Sequence, residues 1–521
     1  MRTYDIVIIG GGAAGAVVAA RASEHPDLDV LLVEAGPDYE TASKVPDDLL
    51  DGHRNSLTDH DWHLDYTPVT GRRSVHFPRG RVTGGSTAVN TTIALRGTPA
   101  DYDHWAALGN PEWSWDSVLP AFRRLERDLD YGSAPHHGDA GPITIRRWRP
   151  DELVPTQAAF LETATGSPDD GGLGHPVCDD VNAPDAVGAG PMAMNKLGRT
   201  RISTAVGYLA PARVRDNLTI EAGSTAVRLV VDGGRVVGVE VERADGGRVE
   251  HRGRLVVAAC GAVATPGLLV RSGIGAADEL ARLGLDPVAT VDGVGRNLSD
   301  HPALLVAMTG RFPEFCAEEL PLVQTITRYT SEGSTAELDV NIELITRVPL
   351  PSRPGGEGAT FGLAASLEWV EGRGRIRQTS VDPHSGPVIE SGFGTHPADV
   401  ARNVAAYRDA IAMTRHPALA DLIDEVVFPD PARSSVEDLA ALAAKSSRSG
   451  YHPCGTARMG PADDPGAVVD QYGRCHAVDG LVVADASIMP TVPRANTNLT
   501  SIMIGERIGE WIRTEPTRYG L

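Results

Sequence analysis

Two short segments carry side chains able to take or hold a proton. Tyr451-His452-Pro453-Cys454-Gly455-Thr456 offers an imidazole, and Arg494-Ala495-Asn496-Thr497-Asn498 offers an amide. Neutral imidazole is available as a base near pH 7, because its ordinary pKa is about 6.5. An amide cannot act as a base, but it can donate a hydrogen bond. Each has a plainer reading. A lone histidine is more often a satisfied structural side chain than a base. Asn496 also stands where a helix cap would, just before an apolar-periodic run from Leu499 to Ile512. The positive end of such a helix favours negative charge nearby.

The opposite end of the chain supplies elements that give this pair something to act on. Tyr4 to Ile9 is an apolar, β-branched run that predicts a buried strand. Gly10, Gly12 and Gly15 follow at G-x-G-x-x-G spacing, and Ala16 to Ala22 reads as a small-residue helix. Val30 to Val33 predicts the second strand, and Glu34 ends it about 20 positions after the loop. Gly10 permits the sharp turn, Gly12 lets a pyrophosphate approach the backbone, and Gly15 lets helix and strand touch. The helix N-terminus then faces phosphate, and Glu34 accepts hydrogen bonds from a ribose diol. A dinucleotide site is therefore expected, with FAD and NAD both open at this point.

At 521 residues the chain exceeds one ordinary domain. Its formal charge of -21 argues against nucleic-acid or anionic-membrane partners. Asp5 interrupts the only early apolar run, so no secretory signal is expected, and no stretch approaches a membrane span. Cys178, Cys260, Cys316, Cys454 and Cys475 show no pairing such as C-x-x-C. No metal site is expected, and reduced thiols in a cytoplasmic protein are the simplest reading.

A second glycine-rich segment, Gly80-Arg81-Val82-Thr83-Gly84-Gly85-Ser86-Thr87-Ala88-Val89-Asn90-Thr91-Thr92, reads by composition as a surface loop or as backbone open to a flat ligand. With Arg96-Gly97 and Asp101-Tyr102-Asp103 it resembles the first signature of the glucose-methanol-choline (GMC) oxidoreductase family. Gly261-Ala262, Thr265-Pro266, Leu268-Leu269 and Ser272-Gly273-Ile274-Gly275 resemble the second. Further matches are Asn297-Leu298, Asp300-His301, Asp485-Ala486-Ser487 and Met489-Pro490. The resemblance spans the chain and is weakest from about Arg311 to Ser366.

This resemblance implies an α/β (α+β overall) architecture. A Rossmann-like FAD-binding domain would comprise 1–150, 200–310 and 450–521, and an antiparallel-sheet substrate domain 151–199 and 311–449. It implies FAD rather than NAD, with contacts from Ala13, Ala14, Glu34, Ala35, Asn90, Thr91, Thr92, Ile93, Val227 and Asp485. Arg81, Gly85, Tyr451, Ala486 and Thr497 are further candidates, and Thr83 stands where an aliphatic residue is usual. Some family members tether the flavin through a histidine just before the asparagine of the first signature. Here that residue is Val89, so dissociable, non-covalent FAD is expected. By resemblance His452 is the base that takes the hydroxyl proton, and Asn496 orients the hydroxyl.

Within the family the likeness is nearest to bacterial aryl-alcohol and hydroxymethylfurfural oxidases, which implies a primary alcohol on an aromatic or furan-like ring and oxygen as acceptor. Choline-like, pyridoxine-like and glycoside alcohols with a non-oxygen acceptor form the alternative. A hydroxynitrile lyase-like reaction is the rival from another class. Oligomeric state is open. Trp369 and Phe361 are candidate pocket aromatics, with core packing as the other reading. Pro349 to Gly358 reads as a Pro/Gly-rich loop able to move or act as a lid. Cys454 and Cys260 read as packed, unreactive thiols.

Overall fold

The computed structural model describes residues 3–69, 71–348, 360–430 and 435–521. The Pro349 to Gly358 loop lies outside the described residues.

The first strand is Thr3–Ile9, and its Ile6-Val7-Ile8 core is fully buried. A continuous apolar run suits a parallel strand covered on both faces. It pairs in parallel with Val30–Val33 on one side and with Arg248–Ala258 on the other. Leu218–Glu221 joins beyond Val30–Val33, and Leu481–Val483 pairs with Arg248–Ala258, both in parallel. Ser224–Asp232 and Arg235–Arg243 extend the sheet as antiparallel hairpins. Their turns carry the Asp232-Gly233-Gly234 and Asp245-Gly246-Gly247 signals. Helix Gly15–Ala22 packs against the C-terminal helix Thr497–Thr514. Small residues allow this closeness: a Cβ on Gly505 would lie 2.7 Å from the Ala14 carbonyl oxygen.

A second, antiparallel sheet runs in the order Ile423–Phe428, Pro302–Gly310, Thr360–Leu367, Val340–Ile345, Thr325–Tyr329 and Gly188–Pro191. Arg448–Ser449 also pairs with Pro302–Gly310. Pro302–Gly310, which the sequence reading assigns to the nucleotide-binding segments, hydrogen-bonds within this sheet. One face carries Leu304, Val306, Ile342, Leu344 and Leu363, buried with Val404, Tyr407 and Ala410 of the Pro397–Met413 helix. Phe361 belongs to this core and is fully buried, so it is not a pocket residue. By register Leu305, Ala364, Glu343 and Ile326 share the other face. Trp369 is engaged elsewhere, between His104 at 5.4 Å and the Arg494 guanidinium at 4.5 Å.

Candidate active site

A cavity of about 510 Å³ is lined at one end by the Gly10–Ala14 loop and at the other by His452 and Asn496. At the nucleotide end Gly10 turns the chain with φ 100°. A Cβ there would sit 2.4 Å from the Ala259 carbonyl oxygen, and one on Gly15 would sit 1.9 Å from that of Gly10. Any side chain at either point would push strand and helix apart. Gly12 serves differently: a Cβ there would meet only Gly85 Cα, at 3.8 Å, so room remains beside its backbone. Glu34 is buried, accepting from Gly11 N at Oε2 and from Gly36 N at Oε1, each at 2.8 Å. Burial pushes its carboxyl above the usual range against these bonds. Each oxygen keeps a lone pair for a diol.

Gly10, Gly12, Ala13, Ala14, Glu34, Ala35, Arg81, Gly85, Asn90, Thr91, Ile93, Tyr451, Asp485, Ala486 and Thr497 border this cavity with His452 and Asn496. Four expected residues do not. Gly15 lies behind the loop, in the helix–strand contact. Thr83 donates its hydroxyl to Asp38 Oδ1 at 2.7 Å. Thr92 adopts φ 62° and donates to the Gly52 carbonyl at 3.2 Å. Val227 lies within its strand rather than at the end, beside a register shift, and its carbonyl accepts from Arg271 Nε at 2.9 Å. Thr225 and Ala226 border the cavity instead. Arg79 and the 383–387 segment border it too, with no sequence motif to announce them.

These residues fit a flavin dinucleotide. The space beside Gly12 suits phosphate, and Glu34 suits a ribose. Two buried polar atoms of cavity residues, Arg81 Nε and Asn498 Oδ1, have no hydrogen-bond partner among the described residues. A polar ligand would satisfy them. Thr497, Asn498 and Ser501 of the C-terminal helix face the cavity, so its positive end is directed there.

At the chemical end His452 Nε2 lies 2.9 Å from Asn496 Nδ2, and His452 Nδ1 lies 2.9 Å from His301 Nδ1. Asn496 is the N-cap residue of Thr497–Thr514 by position, but its side chain makes no cap hydrogen bond. The amide points to the imidazole instead. Burial, then His301 and Arg79, hold the His452 pKa well below the usual imidazole value. His301 is fully buried, and burial lowers its pKa to about 4. Both rings are thus neutral at pH 7. Asp300 supports the backbone: its Oδ1 accepts from His452 N at 2.9 Å, while Oδ2 accepts from Ser449 Oγ. Tyr451 adopts φ 67°, and its carbonyl accepts from Arg79 Nη2 at 3.1 Å.

Sequence reasoning passed over the role of His301, although Asp300-His301 was among the matched residues. Its signal was position alone, 151 residues from His452. Glu368 was missed as well. It is buried, its Oε2 lies 3.4 Å from His301 Nδ1, and burial pushes its carboxyl up to about 8. Burial and then Glu368 push Glu343 up to about 7. Burial pushes the Cys260 thiol up to about 12 and raises that of Cys454 as well, which disfavours the reactive thiolate at both. All five cysteines are free.

The GMC oxidoreductase models match residues 4–303 and 370–505. The chain is 36% identical to a 5-(hydroxymethyl)furfural oxidase of Methylovorus sp. (strain MP688), over 98% of this chain and 99% of that protein. It is 33% identical to an oxygen-dependent choline dehydrogenase 1 of Chromohalobacter salexigens, over 98% and 95%. Its fold superimposes on the crystal structure of pyridoxine 4-oxidase from Mesorbium loti with TM-score 0.89 and 30% identity, covering 97% of this chain and 98% of that one. The chain belongs to the GMC oxidoreductase family. It is an enzyme of the flavin alcohol oxidase and dehydrogenase class, with FAD as its cofactor. Among the described residues no helix is long and apolar enough to cross a membrane.

Proposed function

We propose that this enzyme oxidises a primary alcohol on an aromatic or furan-like ring to the carbonyl, with His452 as general base and oxygen as electron acceptor. Non-covalently bound FAD would supply the hydride acceptor, at flavin N5. The observation that carries the reading is the placement of His452, with Nδ1 2.9 Å from His301 Nδ1 and Nε2 2.9 Å from Asn496 Nδ2, on the cavity that the Gly10–Ala14 loop also lines.

An Asn496 amide N–H directed at Nε2 requires a lone pair there, so the His452 proton sits on Nδ1 and is donated to His301 Nδ1. Nε2 is then the basic atom. A substrate hydroxyl that takes the amide's place at Nε2 gives its proton to Nε2 and accepts a hydrogen bond from the displaced amide. Alkoxide character develops as the proton leaves, and the amide stabilises it. The ring preference is supported by the furfural oxidase relative and by the pyridoxine oxidase structure, which are named for ring-borne alcohols. The choline dehydrogenase relative supports the alternative of an aliphatic, cationic alcohol.

A panel of benzylic, furanic, pyridoxine-like and choline-like alcohols, mixed anaerobically with the enzyme, tests the reading through bleaching of flavin absorbance. Admission of oxygen then tests the acceptor by recovery of the oxidised spectrum. Fastest bleaching by a choline-like alcohol would reject the ring preference. Cyanide release from a hydroxynitrile without bleaching would reject the oxidation.

A further inference from the structure

A group of ligand-type side chains lies at the rim of the cofactor cavity and takes no part in the alcohol chemistry. We propose that Asp61, His63 and His76 bind one divalent transition-metal ion of the zinc, cobalt or nickel type. The binding itself goes beyond the alcohol-oxidation reading and does not depend on it.

Backbone topology brings the three together. Leu64–Tyr66 pairs antiparallel with Val75–Phe77, which sets His76 opposite Asp65. Asp61 bridges to Gly80, closing the same ribbon three residues further on. At His63 the chain adopts φ 53°, a left-handed conformation that residues bearing a Cβ seldom take. Asp61 Oδ2 lies 2.6 Å from His76 Nε2 and 3.5 Å from His63 Nδ1. All three ligand atoms fall within 4.8 Å of one another.

The carboxylate is held in place by backbone. Asp61 is buried, its Oδ1 accepting from Arg79 N at 2.6 Å and its Oδ2 from His63 N at 2.9 Å. Such fixed partners orient a metal-binding carboxylate. The imidazoles are open to solvent, with His63 and His76 side chains 72% and 43% exposed. An ion can therefore reach them.

Charge distinguishes this group from the other three of similar composition. Glu126, Asp128 and Asp180, around His137, already hold Arg96 and Arg147 guanidinium groups. Glu371 and Asp399, beside His396, hold Arg402. A guanidinium there takes the place a cation would fill. Among the described residues, Asp61 forms ion pairs only with His63 and His76.

Two imidazole nitrogens and one carboxylate oxygen suit zinc-like ions rather than magnesium or calcium. Bonds of about 2.0–2.2 Å place tetrahedral ligand atoms roughly 3.3 Å apart. The His63–Asp61 separation already matches. The His76–Asp61 pair must open by about 0.7 Å as the ion replaces the proton between them. That proton leaves to solvent as the ion binds. Asp61 and His63 border the cofactor cavity. An ion joining them to His76 would tie the two sides of the ribbon at the cavity rim.

The test is equilibrium dialysis of the chelator-treated flavoprotein against zinc chloride, with bound zinc quantified per chain. One zinc at roughly micromolar concentration is expected. His63→Ala and His76→Ala should each weaken binding at least as much as the ~10–100-fold that loss of an outer-shell partner costs. Both side chains are exposed, so folding should tolerate either change, and circular dichroism checks this. Equal zinc binding in both variants would place the ion elsewhere and overturn the proposal. So would an absence of bound zinc below millimolar concentration.

Discussion

His301 and His452 meet Nδ1 to Nδ1 at 2.9 Å, edge to face, with ring centroids 5.0 Å apart. Only one of the facing nitrogens can carry the proton of that bond. Asn496, donating at His452 Nε2, assigns it to His452 Nδ1. His301 therefore acts as an acceptor that selects the tautomer of His452, the proposed base. Its own neutrality, enforced by burial, is what allows this.

Replacing His452, the proposed base, removes proton transfer but leaves the nucleotide loop untouched. His452→Ala should retain FAD while anaerobic flavin reduction slows by about 10²–10⁴-fold. Stopped-flow reduction under a saturating alcohol measures this. Near-normal reduction would mean that another group takes the proton.

His301 is a positioning residue, and its effect should show in the pH profile. His301→Ala removes a hydrogen bond worth about 1 kcal/mol, so reduction should slow roughly five- to tenfold. The vacated space admits water and relieves part of the burial that lowers the His452 pKa. The acid limb of the rate profile should therefore move to higher pH. His301→Gln, which restores an acceptor, should recover part of the rate. An unmoved limb in both variants would assign His301 a packing role only.

Asn496 separates two functions that its position merges. As a side-chain cap, its replacement by alanine would cost about 0.5–2 kcal/mol of stability. The amide instead faces His452, so Asn496→Ala should leave the denaturant midpoint nearly unchanged while slowing flavin reduction. A matched loss of stability with unchanged reduction would restore the capping role.

Val89 borders the cavity where some family members place a tethering histidine. It offers no nucleophile, so acid precipitation should release all the flavin into the supernatant. Colour kept in the pellet would show a covalent link formed by another residue.

What the sequence disclosed and what it hid follow from how tightly each function constrains residue type. Gly10 and Gly15 were legible because their backbone contacts exclude every side chain. Strand Val30–Val33 was legible because both of its faces are buried. Phe361 was not, since alternation along a strand shows two faces without saying which meets the helices. Thr83 and Val227 stand outside the cavity lining for a similar reason: family position locates the backbone, while Asp38 and Arg271 determine where the polar atoms go. His301 acquires a role only when the fold closes a separation of 151 residues.

Glu368 gives the molecule a stability that weakens as pH rises. Its carboxyl is buried, and burial raises its pKa from the usual 4.5 to about 8. The folded state therefore holds a proton that the unfolded chain releases above about pH 4.5. By linkage, the contribution is fully present below that value and is lost as pH rises towards 8, with a slope of up to about 1.4 kcal/mol per pH unit. Glu368→Gln keeps the shape without the ionisation. Urea melts at pH 5, 6.5 and 8 should show the wild type losing stability across the series, with the variant declining less steeply. Parallel declines would mean that Glu368 is ionised in the folded protein, paired with Arg328 or Arg494. His301 would then face a carboxylate, and the pH limb attributed to the two histidines would need to include it.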